Sequence, residues 1–409
     1  MTERLWIPFL SFLFLCLSFS CSDGLSGRVV KPDVVEKGDT AYRTLLIYMV
    51  AENSLDNYAA YDIAEIVEAS VDVPRDCRLF VYVDDNSFPI MHQYFRCTDG
   101  SAGNLTFHPF SKDVCSSDTA ALGSLLDYIL ENYPTRKLDL VLWSHGDGWL
   151  RGPESAAPQR SVGIDNGKNS YSNDATKAIE MEELAALLER LPVKVDRLMF
   201  DACFMQCVEV VYALRDAVEW IVASPAEIPG YGAGYATVLQ AFFLSDGPKD
   251  IIDLYLKGYE TEFAGAVLSA VRPAASVQLA DATAYYVEKY FNSGKNREYD
   301  DVFAYLPGGK YSASKPYPSY FDMNSVMFKY LTADEYAQWR KALDSVVVFS
   351  ASSPRWYSAV CGRTLGYNVF EGCGMSMYMP QNSFLSQDFN ESFRTTEWYD
   401  AAGWSSAGW

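Results

Sequence analysis

Buried-strand runs alternating with amphipathic helices over residues 42–240 predict an α/β fold, a mostly parallel sheet flanked by helices, with a mixed extension completing it towards the C-terminus. Three observations carry this. Five short apolar runs rich in strand formers recur along the stretch, helical stripes separate them, and two of those stripes stop at a proline. The composition agrees: 49% of the 409 residues are hydrophobic and 21% charged, enough apolar content to offset the ordering entropy of a folded chain.

The first run, Thr44 to Val50, is apolar on both faces, as in a parallel strand covered by helices on each side. Asn53 or Ser54 is placed to cap a helix in which Leu55, Tyr58, Ala59, Ile63, Ile66 and Val67 recur at helical spacing. Arg78 to Val83 gives the next strand. After Ser117 and Asp118, Leu122, Leu125, Leu126, Ile129, Leu130 and Tyr133 form one apolar stripe that Pro134 ends. Leu138 to Trp143 then reads as a strand that stops at Ser144-His145-Gly146-Asp147-Gly148-Trp149. The pattern repeats: a stripe from Met181 to Leu191 closed by Pro192, a strand from Val195 to Phe200 ending at Asp201-Ala202-Cys203, a helix expected to start there, and a short strand from Glu219 to Ala223. Beyond 240 the alternation blurs. Helices are expected over 250–263 and 281–291, a strand over 375–379, and a surface loop over 305–320, where Gly, Ser, Pro and Tyr are dense. Residues 151–179 show no period and are rich in Gly, Ser, Asn and Asp, which fits a functional loop or a surface insertion.

At the N-terminus an apolar run from Leu5 to Ser20 is too short to span a bilayer and reads as an export signal. It ends in Leu17-Ser18-Phe19-Ser20-Cys21, which resembles the site where bacterial lipoproteins are cleaved and acylated on Cys21; an ordinary cleaved signal is the alternative. The expected organisation is a signal over 1–20, a tether over 21–41, a catalytic core over 42–240 and a completing region over 241–409. The protein is then expected outside the cytoplasm, lipid-anchored or secreted, as a monomer. Setting aside Cys16 and Cys21 leaves seven cysteines, so at least one thiol stays unpaired within a monomer.

With 33 basic and 53 acidic side chains, a net charge of −20, the surface repels phosphate backbones and attracts cations, so nucleic acid is excluded as a partner class. Only three histidines are present, with no His-Glu-x-x-His and no Cys-x-x-Cys, so no metal site is expected from these motifs.

Two motifs occupy equivalent places, each directly after a buried strand: His145-Gly146 and Asp201-Ala202-Cys203. In one parallel sheet both would project from the carboxyl edge, where such folds keep their chemistry. A thiol at a helix start would also be drawn towards thiolate by the helix dipole. Singly, His145 could be an ordinary strand-end histidine and Cys203 a structural thiol; together they make a nucleophile and a proton carrier, with Gly146 allowing close approach and offering an oxyanion donor. Cys207, four residues on, fits a core position better than pairing with Cys203.

Residues 140–149 (LVLWSHGDGW) and Phe200-Asp201-Ala202-Cys203-Phe204-Met205 are similar to the His-Gly and Asp-Ala-Cys signatures of the clostripain-like cysteine peptidases, relatives of caspases, gingipains and legumain. The resemblance extends through 45–65, 224–230 and 374–380. It implies a caspase-like fold and a protein or peptide substrate cut after Arg or Lys. Cys203 would be the nucleophile, His145 the acid for the leaving amine, and the N–H groups of Gly146 and Cys203 the oxyanion donors. Asp201 matches the acidic residue under the substrate's basic side chain. Tyr231 stands where basic-specific relatives place a second acid, and Glu227 is near enough in sequence to compensate. Self-cleavage between the motifs, implied by some relatives, has Arg160, Lys168 and Lys177 as candidate sites. No cofactor is expected. Calcium dependence occurs in part of the family, but no Asp-x-Asp-x-Asp-Gly loop is present. A catalytically silent binding lipoprotein of the same fold, or a thiol amidase, is the competing reading.

Overall fold

The computed structural model describes residues 35–409 apart from 86, 151–160, 168–177, 260–264, 296, 313–314, 368–371 and 384–385. In chain order its strands are β1 (Ala41–Val50), β2 (Cys77–Asp84), β3 (Ile90–Arg96), β4 (Ala102–Phe107), β5 (Thr135–Trp143), β6 (Val195–Asp201), β7 (Val218–Ala223) and β8 (Val267–Val271). The short β9 (Ala304–Leu306), β10 (Gly309–Ser312), β11 (Lys315–Tyr317) and β12 (Tyr320–Asp322) follow, then β13 (Val347–Ser352). Nine of them form one sheet in the order β13-β8-β7-β6-β5-β1-β2-β3-β4. The central five, β7-β6-β5-β1-β2, are mutually parallel. The outer strands on both sides add antiparallel.

Period-2 alternation divides the strands between two helical layers. Leu45, Ile47 and Met49 of β1 face α1 (Asp56–Ala69), while Leu46, Tyr48 and Val50 face the other side. That second layer contains α2 (Thr119–Asn132), α3 (Met181–Glu189) and α4 (Val208–Ala213). The first layer is completed by α5 (Tyr235–Leu244) and α6 (Lys249–Lys257), and α7 (Ser276–Tyr290) returns to the second. Strand order reverses between β1 and β5, since β2 lies on one side of this pair and β6 and β7 on the other. The crevice at such a switch point, beyond the carboxyl ends of the strands, is where doubly wound folds bind ligands.

Several expectations are corrected. The helix after β1 starts at Asp56 with Leu55 at its N-cap and no side-chain cap; Asn53 instead accepts from the Leu55 N–H at 2.8 Å, and Ser54 turns elsewhere. The helix expected to begin at Cys203 begins at Val208. Residues 305–320 are not an irregular loop but contain β10, β11 and parts of β9 and β12. The strand expected over 375–379 shrinks to Ser376–Met377, paired with β12. Beyond 240 the chain supplies β8 and β13 to the main sheet. Towards its amino edge the sheet carries a buried ionic group in which Arg43 and Arg197 both donate to Asp139, at 2.6 and 2.5 Å; pairing satisfies charges that would be costly alone.

Candidate active site

β5 and β6 run in register with Trp143 opposite Asp201. His145 and Cys203 each stand two residues beyond those partners, so they leave neighbouring strands at the same level. Glycine keeps the two turns close: a Cβ on Gly146 would lie 2.8 Å from the Cys203 carbonyl oxygen and 3.0 Å from the Ala202 Cβ. Both functional side chains are half-buried.

After Cys203 the chain makes a strained turn. Phe204 has φ of 62°, the single non-glycine residue in that region among those described. Such a conformation costs about 1–2 kcal/mol and persists only when its surroundings fix it. Here the Phe204 N–H donates to Ala226 O at 3.0 Å, the Gln206 N–H to Ser224 O at 2.9 Å, and the Phe204 ring stacks on Tyr320 with centroids 4.5 Å apart. Among the described residues, the N–H groups of Gly146 and Cys203 donate to no backbone or side-chain acceptor, so both are available to an incoming oxygen.

The thiol sits against Ile228, whose N–H donates to Sγ at 3.4 Å. Burial pushes Cys203 up to about 12; the Ile228 N–H opposes this, and Glu227, Asp147 and Asp201 reinforce it. The expected helix-dipole activation is therefore absent, because α4 starts five residues further on, and the resting group is a protonated thiol. His145 is held by Ser54, with Oγ 2.9 Å from Nε2, and burial lowers its pKa. A neutral imidazole beside a neutral thiol is the result. Ser144 binds this edge together, donating to Val50 O at 2.8 Å and accepting from the Ile164 N–H at 3.2 Å. Asp147 is clamped through Tyr317 on its carboxylate and Tyr320 on its carbonyl, the latter at 2.8 Å.

Asp201 points to the α1–α5–α6 side. Its carboxylate accepts from Ala233 N–H and Tyr235 OH, both at 3.0 Å, and Tyr255 OH at 3.2 Å. Burial raises its pKa to about 6, with those three donors limiting the rise. Gly232, with φ of 54°, approaches so closely that a Cβ would fall 2.7 Å from the carboxylate. Nearby, Asp62 accepts from Trp143 Nε1 at 2.7 Å and Glu65 from the Ala236 N–H at 3.4 Å. Burial first, then the charge of Asp201, pushes Asp62 up to about 9. Tyr231 is exposed and meets Tyr58 and Tyr61 edge-on, at 5.1 and 6.3 Å between centroids.

Glu227 does not turn to this acidic wall. It accepts from Ser358 Oγ and from the N–H groups of Ala359 and Val360 at 3.0 and 3.1 Å. Sequence reading missed Asp62 and Glu65. The signal available was a carboxylate on the buried stripe of α1, one turn from Glu65. Ser54 carried no signal, because its partner lies 91 residues away. Cys203 and Cys207 are both free thiols. Cys21, Arg160, Lys168 and Lys177 lie outside the described residues.

A thiol and an imidazole thus stand at adjacent strand ends of a parallel sheet, with an acidic wall beside them, an arrangement able to supply a nucleophile and a proton carrier. The chain belongs to the clostripain family, whose profile matches residues 47–409. It is 26% identical over 250 residues to clostripain of Hathewaya histolytica, a match covering 55% of this chain and 47% of that protein, so the chain spans about half the length of the curated relative it matches. Its structure is similar to an inactive zymogen C11 protease from Parabacteroides distasonis, with TM-score 0.74 and 25% identity over 89% of this chain and 99% of that one. It is also similar in fold to a secreted C11 cysteine protease from Bacteroides thetaiotaomicron in complex with an irreversible peptide inhibitor, with TM-score 0.73 and 24% identity over the same shares.

Proposed function

We propose that the chain is a cysteine endopeptidase that cleaves peptide bonds after Arg or Lys, with Cys203 as nucleophile and His145 as proton carrier. The observation that carries this reading is the common level of His145 and Cys203 beyond the Trp143–Asp201 register, beside two unengaged N–H groups. As Sγ attacks the carbonyl carbon, neutral His145 takes the thiol proton, and the carbonyl oxygen gains charge between the N–H groups of Gly146 and Cys203. His145 then gives that proton to the departing amine. Water, deprotonated by the same imidazole, hydrolyses the acyl-enzyme and returns the thiol.

The basic preference rests on Asp201 with Glu65 nearby, and Tyr231 with Tyr58 forms an aromatic rim against which an alkyl stem or guanidinium packs. Activation by cleavage at Arg160, Lys168 or Lys177 belongs to the same proposal, suggested by the zymogen form of the Parabacteroides protein. Among the described residues no helix is long and apolar enough to cross a membrane, and the secreted Bacteroides relative fits a protein acting outside the cytoplasm, anchored through Cys21 or released.

The test is turnover of short fluorogenic peptides ending in Arg, Lys or a neutral residue. Wild type turns over the basic ones and Cys203→Ala none. Because ionised Asp201 pairs with the substrate cation, kcat/KM for Arg should rise with pH through about 6, and Asp201→Asn should lose that rise. Equal turnover by Cys203→Ala removes the mechanism, and activity on neutral peptides alone removes the basic preference.

A further inference from the structure

The turn that follows β1 reaches across to the neighbouring strand end and meets the imidazole there. Ser54 Oγ lies 2.9 Å from His145 Nε2. β1 and β5 are adjacent and parallel, with Met49 opposite Trp143, so the segments that follow them leave the sheet side by side. The serine hydroxyl has no local task, since α1 starts at Asp56 with Leu55 at its N-cap and no side-chain cap. Ser54 is exposed, yet the residues on either side of it are tied down. Asn53 is buried, donates through Nδ2 to Val50 O at 2.9 Å and to Ile164 O at 2.7 Å, and accepts from the Leu55 N–H at 2.8 Å. The backbone of His145 is tied down as well. Its carbonyl accepts from the Gly163 N–H at 3.0 Å, and Ser144 Oγ joins Val50 O to the Ile164 N–H. With both backbones fixed, what is left to set is the rotation of the imidazole about its own side-chain bonds, and the Ser54 contact acts on that rotation.

We propose that Ser54 is a positioning residue for the hydrolysis, holding His145 through Nε2 so that Nδ1 is the nitrogen that exchanges protons with Cys203; this rests on the peptidase reading. In a neutral imidazole one nitrogen carries the hydrogen and the other accepts, and the hydrogen bond made by one decides the state of the other. Ser54 Oγ accepts from Nε2–H, which leaves the Nδ1 lone pair for the thiol proton. The S–H bond breaks as the Nδ1–H bond forms, the electron pair stays on sulfur for its attack on the carbonyl carbon, and the Nδ1 proton later passes to the departing amine. Nε2–H stays on the serine oxygen throughout, in a bond that strengthens while the ring is charged. Being uncharged, the hydroxyl orients the ring without fixing a proton on it, which agrees with a pKa lowered by burial.

The experiment compares Ser54→Ala, Ser54→Thr and Ser54→Asp with wild type in the full chain, by turnover of the basic fluorogenic peptides and by NMR of the three histidine rings, His145 being assigned by the signals lost in His145→Gln. Ser54→Ala should lower kcat about tenfold with KM unchanged within about twofold, and Ser54→Thr, which keeps the hydroxyl, should restore most of the loss. At about pH 8 the nitrogen-15 shifts of neutral His145 should place the hydrogen on Nε2 in wild type. Ser54→Asp sets a carboxylate against that nitrogen and should raise the midpoint of the His145 titration by about one pH unit. Hydrogen on Nδ1 in wild type, an unmoved midpoint in Ser54→Asp, a wild-type kcat in Ser54→Ala, or a loss that Ser54→Thr does not restore overturns the positioning role. Absence of peptide turnover in wild type sinks the peptidase reading, and the two NMR measurements then decide by themselves whether Ser54 holds the ring.

Discussion

Two buried aspartates end β6 and β2 at the same edge of the sheet, with β5 and β1 between them, and are treated in opposite ways. Asp201, at the end of β6, receives three donors; Asp84, at the end of β2, receives Ser116 Oγ on one oxygen and nothing on the other. A carboxylate supplied from within has its desolvation offset by the fold's own donors, whereas one left partly unsupplied carries more of that cost. The first kind sets a pocket's shape and charge.

Removing the supplied carboxylate should do the most damage. Asp201→Ala strands the Ala233 N–H and the hydroxyls of Tyr235 and Tyr255, and a loss of about 3–5 kcal/mol in urea denaturation is expected. A loss under ~1 kcal/mol would mean that the three donors find water and that the contrast is false.

The thiol that follows Asp201 gives the next effect. With Cys203 raised to about 12, its thiolate fraction grows tenfold per pH unit, so its alkylation by iodoacetamide should quicken about a hundredfold between pH 7 and 9, read by mass spectrometry of the Cys203 peptide. A plateau already reached at pH 7 would instead indicate a standing thiolate–imidazolium pair.

Asp62 sharpens the comparison on the pocket side. Its folded pKa of about 9 lies above the unfolded value, so the folded state binds the extra proton and this site's contribution to stability falls as pH rises from about 4 towards 9. Asp62→Asn keeps an acceptor for Trp143 Nε1 and removes the charge. It should stabilise the protein by ~1–3 kcal/mol at pH 8, with the gain vanishing near pH 4. A gain independent of pH would point to packing rather than charge.

The smallest effect belongs to the unsupplied group. Asp113→Asn removes a buried charge crowded by Glu52, Asp84 and Asp165, so unfolding free energy should stay level or rise by ~0–1 kcal/mol. A loss like that of Asp201→Ala would show that Asp113 has an internal partner after all.

The strand and helix alternation was legible because it is local. Continuous apolar runs specify β1, β2, β5 and β6, and the stripe from Leu122 to Tyr133 specifies α2 almost to the residue, with Asp118 capping it through the Ala120 N–H at 2.9 Å. The outer strands β3 and β4 were not legible, since polar residues interrupt the apolar pattern, Gln93 within the mostly buried β3 and Asn104 and Thr106 on the half-exposed edge strand β4. The start of α4 was misplaced because nothing in one dimension shows that residues 203–207 must first turn through a left-handed Phe204 to clear the edge of the sheet.

By itself the sequence determined the two strand-end motifs, their order, and hence that a thiol and an imidazole share one edge, because each motif is tied to its strand by two residues of chain. Only the tertiary structure decided what surrounds them: Ser54 on His145, Ile228 on the thiol, three donors on Asp201, the commitment of Glu227 to Ser358, and the meeting of Glu52, Asp84 and Asp113. Those contacts join segments mostly tens of residues or more apart. Their partners are chosen by the order of strands in the sheet and the direction in which each side chain leaves it, neither of which the local pattern contains.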